Sequence, residues 1–219
     1  MNDAKEFAAN AYRSSLFSLC AVGLGYHDVN YRTHGRTIAK LEGKVNPRKL
    51  ICLPRGCLKS SIACVGFPIW LLINNPNLRI LIDSELYTNS KTFLREIRSH
   101  LENPRLTEIF GQFRGNPWSE SEITILQRTL MKKEASITVG GIGTTKVGQH
   151  YDVVIMDDMN SPKNSTTIEQ AEKVISHYRY NMSILDPGGT LVLIGTRYAA
   201  NDLIGHVIAN EIDPAGLLA

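Results

Sequence analysis

The order of segments along this chain predicts an α/β fold, with a mostly parallel central sheet flanked by helices on both faces. Two observations lead there. Short apolar runs alternate with helical, amphipathic stretches through most of the 219 residues, the pattern of strands joined by crossover helices. Three of those runs end in polar clusters, Arg55–Ser61, Asp157-Asp158 and Gly195-Thr196-Arg197, and ligands of such sheets sit at the carboxyl ends of the strands. With 43% hydrophobic and 21% charged residues, the chain has the composition of an ordinary globular protein and enough length for one sizeable core.

The elements follow in order. Asp3 to Cys20 has helical periodicity, with Phe7, Tyr12, Leu16 and Leu19 on one face. A short helix is expected near Thr37–Leu41, then a strand at Leu50–Leu53 that stops at Pro54-Arg55-Gly56. A helical pattern runs from Lys59 to about Asn74, ended by Asn75-Pro76. Arg79–Asp83 reads as a strand, Tyr87–Glu102 as an amphipathic helix and Pro104–Phe110 as a further turn or two. Glu122–Leu126 and Ala135–Val139 flank a basic turn at Lys132-Lys133 and predict a hairpin. Asp152–Met156 is a buried strand, Thr167–Asn181 a helix, Thr190–Ile194 a strand entered through Pro187-Gly188-Gly189, and Asp202–Asn210 the last helix.

Charge is unevenly spread. Residues 1–156 hold 20 Lys/Arg against 13 Asp/Glu, a net of +7, and residues 157–219 hold 4 against 8, a net of −4. Between Arg32 and Lys59 eight basic residues face only Glu42. That field suits phosphate, of a nucleotide or of a polynucleotide, although a solvated basic face has the same composition. The four cysteines form no C-x-x-C pair, so zinc is not expected and buried, reduced thiols of an intracellular protein are. No signal peptide opens the chain and no apolar run is long enough to span a bilayer, which predicts a soluble protein with no membrane partner.

The chemistry concentrates at the strand ends. Leu53–Ser61, LPRGCLKSS, lies between a strand and a helix and keeps a Lys followed by Ser. Backbone N–H groups of residues 55–61 can cradle phosphate at a helix start, Lys59 can meet the β/γ-phosphates and Ser60 can hold Mg²⁺. The full G-x-x-x-x-G-K-[ST] pattern is absent, since Leu53 and Leu58 stand where glycines belong, and a lysine snorkelling at a helix start is the plain alternative. A buried strand ending in Asp157 and Asp158, 98 residues beyond Lys59, strengthens the case, because paired carboxylates there are costly unless a cation or base chemistry needs them. Asp157 would hold the metal and Asp158 would orient and deprotonate the attacking water. Thr196, in the third cluster, could sense the γ-phosphate; a turn N-capped by Asn201 or Asp202 is the simpler reading.

Together these residues resemble the large terminase subunits of tailed phages. The resemblance rests on Pro54-Arg55-Gly56 before the lysine, RILIDSE at Arg79–Glu85, Trp118 before a hairpin, Gly140-Gly141-Ile142-Gly143 and Gly148 before Tyr151–Asp158, and Gly189–Arg197 followed by Asp202. It spans roughly residues 30–210. It implies a P-loop NTPase of the ASCE type, using ATP and Mg²⁺ to translocate double-stranded DNA into a procapsid. By position it assigns phosphate binding to Arg55, Gly56, Cys57, Leu58, Lys59, Ser60 and Ser61, metal binding to Ser60 and Asp157, and catalysis to Lys59, Arg55 and Asp158. Gly195–Arg197 takes the coupling role. It further implies a homo-oligomeric ring (or a monomer in isolation), a portal protein and a small terminase subunit as partners, and the cytoplasm of an infected cell.

Departures from the family pattern are informative. Leu58 replaces a glycine, which puts nucleotide affinity in doubt; Asp158 replaces the commoner glutamate; Lys146 stands near where relatives place an arginine reaching a neighbouring subunit's site, against the plain alternative of a solvated loop lysine. Tyr31, like Tyr26, is a candidate for adenine stacking, against a core tyrosine. Arg128, Lys132 and Lys133 are candidates for DNA phosphate, against a solvated turn. The whole chain is expected to form a single ATPase domain, residues 1–45 a helical, adenine-side region and 46–210 the core, with no room after Asn210 for a nuclease domain. A helicase- or recombinase-like ATPase and a catalytically weak DNA- or assembly-binding module are the competing readings.

Overall fold

The computed structural model describes residues 2–43, 47–144 and 146–211. The boundary expected at 45/46 therefore lies outside the described residues. The chain opens with α1 (Asn2–Ser14), a short α2 (Leu16–Ser18) running into a π-turn at Leu19–Gly23, and α3 (Tyr31–Glu42). Strand β1 (Arg48–Cys52) leads into a helix whose early part, Ser61–Gly66, is π-wound before α4 (Phe67–Asn74). Next come β2 (Ile80–Ser84), α5 (Tyr87–Leu101), α6 (Pro104–Phe110), β3 (Arg114–Trp118), β4 (Glu122–Ile125) and β5 (Ile137–Gly141). The chain continues through β6 (Tyr151–Asp157), α7 (Ile168–Ser183), β7 (Leu185–Gly195) and α8 (Leu203–Asn210).

The seven strands form one sheet in the order β1-β7-β6-β2-β5-β4-β3. The first four pairings are parallel, and β4 and β3 extend the sheet antiparallel beside β5. Both faces are buried, and strand periodicity sorts the side chains between them. Ile80 and Ile82 of β2, Val153 and Ile155 of β6, and Val192 and Ile194 of β7 enter the larger core with α1 to α6. Leu81, Val154, Met156, Leu191 and Leu193 enter the smaller one with α7 and α8. This is the predicted α/β architecture.

Several local expectations are corrected. Phe7 is 77% exposed, whereas Tyr12, Leu16 and Leu19 are buried; α1 ends at Ser14, so one periodic face does not continue through to Cys20. The third helix starts six residues before Thr37 because Asn30 N-caps it, accepting from the Thr33 N–H at 2.9 Å. Strand β3 was not foreseen, since RGNPW carries Gly and Pro; it is an edge strand, where proline is tolerated. Strand β7 begins at Leu185, before the Pro187-Gly188-Gly189 turn signal, with its register against β6 shifting between Tyr151 and Val153. Cys20 and Cys64 are buried as expected, but Cys52 is exposed and Cys57 half-buried. The π-wound stretch has a local cause. Pro68 lacks the N–H that would bond one turn back, and a wider turn absorbs the defect.

At the amino ends of the central strands, Arg79 donates to both oxygens of Asp152, at 2.8–3.0 Å, and to Asp186 at 2.5 Å. One guanidinium thus fastens the starts of β2, β6 and β7. The opposite, carboxyl end of the sheet carries the candidate site.

Candidate functional site

Strand β1 ends at Cys52 and the chain rises into the loop 53–58 before turning into the helix at Lys59. The loop is anchored to β7: the Leu53 N–H donates to the Gly195 carbonyl at 3.3 Å, and the Thr196 hydroxyl donates to the Leu53 carbonyl at 3.2 Å. Gly56 has φ +84°, with open space where a Cβ would stand. Leu58 has φ +47°. A left-handed backbone favours glycine, so the position has the geometry a glycine would supply, and leucine holds it at a cost of about 1–2 kcal/mol. Its half-buried side chain packs against the larger core, which offsets part of that cost.

Lys59 is only 6% exposed, and its ammonium lies 3.4 Å from Asp158 Oδ2. The Ser60 hydroxyl lies 2.9 and 3.0 Å from the two oxygens of Asp157. Asp157 is 4% exposed at the tip of β6. Burial, then the negative charge of Asp158, push its carboxyl up to about 7, against the opposing pull of Ser60, Lys59 and the Cys64 thiol. Asp158 has φ +42°, and its N–H donates to the Ile194 carbonyl at 2.9 Å. One of its oxygens, Oδ1, is buried with no hydrogen-bond partner among the described residues. An ammonium, a hydroxyl and two carboxylates thus converge from β1 and β6 at one end of the sheet.

This donor set fits Mg²⁺. The ion takes one or two carboxylates, keeps several waters and shares the rest of its shell with substrate phosphate, so a serine hydroxyl on a carboxylate and an unpartnered carboxylate oxygen suit it. A site built wholly of protein ligands is a different matter: among the described residues no group of three His, Cys, Asp or Glu side chains could hold a metal.

The remaining predicted residues are more dispersed. Arg55 is exposed and donates to the Tyr198 hydroxyl at 2.6 Å, its guanidinium 5.9 Å from that ring's centre. Cys57 is half-buried and Ser61 opens the π-wound turn. Arg197 folds onto the carbonyls of Ala199 and Ala200 at 3.3 Å, and Asp202, not Asn201, N-caps α8 by accepting from Gly205 at 2.8 Å. Lys146 lies in the loop after β5, two strands from β6; its N–H donates to the Tyr180 hydroxyl at 2.6 Å, and burial lowers the basicity of its ammonium. No hydrogen bond or ion pair joins it to Lys59, Ser60, Asp157 or Asp158 among the described residues.

Tyr31 is 76% exposed at the start of α3, edge-on to Phe17 at 6.0 Å, so it is not a core tyrosine. Tyr26 is occupied by Glu96, to which its hydroxyl donates at 2.6 Å. Arg128 is turned onto the carbonyls of Leu130 and Glu134 at 3.0 and 2.7 Å, bracing its own loop, and Lys133 onto the Gly148 carbonyl. Tyr198 was missed by sequence reasoning, although its place directly after Gly195-Thr196-Arg197 was a usable signal. Ser84, paired in register with Asp157 across β2 and β6, was missed as well.

No family model matches the chain. Over 149 residues it is 30% identical to the terminase large subunit of Enterobacteria phage T3, an alignment covering 65% of this chain and 24% of the relative. The chain thus spans about a quarter of the length of the curated relative it matches. The HK97 bacteriophage large terminase has the same fold, with a TM-score of 0.59 at 14% identity over 83% of this chain and 36% of that one. The Thermus phage P74-26 large terminase ATPase domain aligns at a TM-score of 0.47 and 18% identity over 71% of this chain and 62% of that one. Motif order, a sequence relative and a shared fold converge: in sequence and in fold this chain is similar to phage large terminase subunits.

Proposed function

We propose that the chain hydrolyses ATP, with Mg²⁺, to drive double-stranded DNA into a viral procapsid. The observation that carries the reading is the contact of Ser60 with Asp157, at 2.9 and 3.0 Å, beside a buried Lys59. The contact brings a helix-start hydroxyl and a buried carboxylate together across 97 residues of chain, beside a lysine, which is the set of groups a magnesium–phosphate site uses.

Ser60 and Asp157 would hold the Mg²⁺, which supplies charge neutralisation at the β- and γ-phosphates. Backbone N–H groups of residues 55–61 would bind the phosphates at the helix start, with the dipole assisting. Lys59 would exchange Asp158 for the terminal phosphates, which leaves Asp158 free to accept a proton from the attacking water and orient it in line. Arg55 stands exposed at the loop, where its charge can meet the phosphates. Thr196, bonded to Leu53, would carry the state of the loop to α8. Tyr31 offers an exposed ring for adenine, and Lys146 a cation for a neighbouring copy's site in a ring. Portal and small-subunit partners and a host-cytoplasmic location belong to the same proposal. Leu58 already holds the left-handed geometry the loop requires, which favours an active enzyme over a collapsed, binding-only module.

The test is Lys59→Ala in the full chain. ATP turnover should fall at least a hundredfold while the circular dichroism spectrum and Tm stay near wild type; retained turnover would remove the mechanism.

A further inference from the structure

Ser84, the last residue of β2, has a buried hydroxyl with no partner. The residue is 2% exposed, and its Oγ meets no hydrogen-bond donor or acceptor among the described residues. A buried hydroxyl left unpaired is costly, so its retention asks for a partner that arrives later. Its direction follows from the pleat. Ile80 and Ile82 of β2 point into the larger core, as do Val153 and Ile155 of β6. Side chains two residues further along share those faces, which puts Ser84 and Asp157 on the same side of the sheet. The register pairs these two residues directly, Ser84 with Asp157, so they are neighbours across one inter-strand spacing of about 4.8 Å. The other flank of Asp157 is occupied by Ser60 and, through Asp158, by Lys59. The next residue, Glu85, fixes the β2 tip to the loop beyond Asp158, accepting from the Ser161 hydroxyl at 2.6 Å and the Asn164 amide at 3.1 Å.

We propose that Ser84 is a positioning residue for the metal site, its hydroxyl reserved for a water in the outer shell of a divalent cation held at Asp157. The proposal rests on the reading of Ser60 and Asp157 as the Mg²⁺ site. Ser84 touches neither the nucleotide nor the reacting atoms; it acts by aligning water beside the carboxylate, as outer-shell partners of metal ligands do.

The experiment uses the full chain with Mn²⁺ as probe, comparing wild type, Ser84→Ala and Ser84→Thr. Apparent Mn²⁺ affinity in the presence of ATP is read by electron paramagnetic resonance, nucleotide binding without metal by calorimetry, and apo stability by thermal melting. The Ser84→Ala variant should lose about tenfold in Mn²⁺ affinity, the lower end of what outer-shell partners contribute. Its apo Tm should be equal to or above wild type, because an unsatisfied buried hydroxyl has been removed, and metal-free nucleotide binding should not move. Ser84→Thr, which keeps the hydroxyl, should recover most of the Mn²⁺ affinity. Unchanged Mn²⁺ affinity in Ser84→Ala overturns the proposal and leaves the ATPase reading intact. So does a fall in Tm accompanied by parallel losses with and without metal, the mark of a purely structural hydroxyl. Failure of wild type itself to bind Mn²⁺ with ATP overturns both.

Discussion

Ser60 places its hydroxyl on both oxygens of Asp157, at 2.9 and 3.0 Å, although 97 residues separate them. The contact ties the first helical turn after β1 to the tip of β6, and it concentrates the electrostatic cost of the site on one carboxylate. Asp157 is buried beside a second negative charge, and a hydroxyl compensates only part of that burden.

A pH dependence follows. With its folded value raised from 3.8 to about 7, Asp157 binds a proton in the native state over a range in which the unfolded chain has released it. Native stability from this group is therefore complete at acid pH and is lost as pH rises through about 7. Asp157→Asn removes the titration. In the metal-free protein the variant should gain on wild type between pH 5 and pH 8, by roughly 1–4 kcal/mol, while ATP turnover is abolished. Urea melts at the two pH values measure it; parallel profiles for the two proteins would contradict the assignment.

Leu58→Gly should tighten nucleotide binding. The substitution releases a left-handed leucine, worth about 1–2 kcal/mol, and gives up the packing of a half-buried side chain, of similar size. Net stability should thus stay within about 1 kcal/mol of wild type, while a backbone free of Cβ lets phosphate approach more closely. Calorimetric titration with ATP should show an affinity gain of several-fold; a loss would mean that leucine, not its backbone geometry, serves the loop.

Thr196→Val separates coupling from binding. It deletes the hydrogen bond to the Leu53 carbonyl and nothing else that Thr196 Oγ1 makes among the described contacts. Stability should fall by about 1 kcal/mol and basal ATP affinity should hold, but stimulation of turnover by DNA should be reduced severalfold. A stimulation ratio equal to wild type would show that the β7 tip does not transmit the state of the loop.

Much of this is legible in the sequence, and the reasons are physical. Val153–Met156 is an unbroken apolar run that only a doubly covered strand accommodates, so β6 and the carboxylates at its tip announced themselves. Asp202 announced α8 because a short acceptor before an apolar helix satisfies free N–H groups. Strand β3 was hidden because Gly115 and Pro117 argue against a strand, and pairing with β4 overrides that local preference. The exposed Phe7 misled because periodicity marks a face without saying whether anything covers it. Ser84 could not be found from sequence: its significance is a matter of register with β6, a relation between strands that are distant in the chain. The inward turn of Arg128 was likewise invisible, since a basic side chain in a loop reads as solvated until the carbonyls it satisfies are known.

The guanidinium of Arg79 has a mechanical corollary. Because it locks β2, β6 and β7 together at their origins, these strands cannot slide past one another like pistons. Under the proposed ATPase reading, work performed at their far tips would leave through the loops there, the Leu53–Thr196 link toward α8 among them. The sheet would then serve as an anvil against which the loops move.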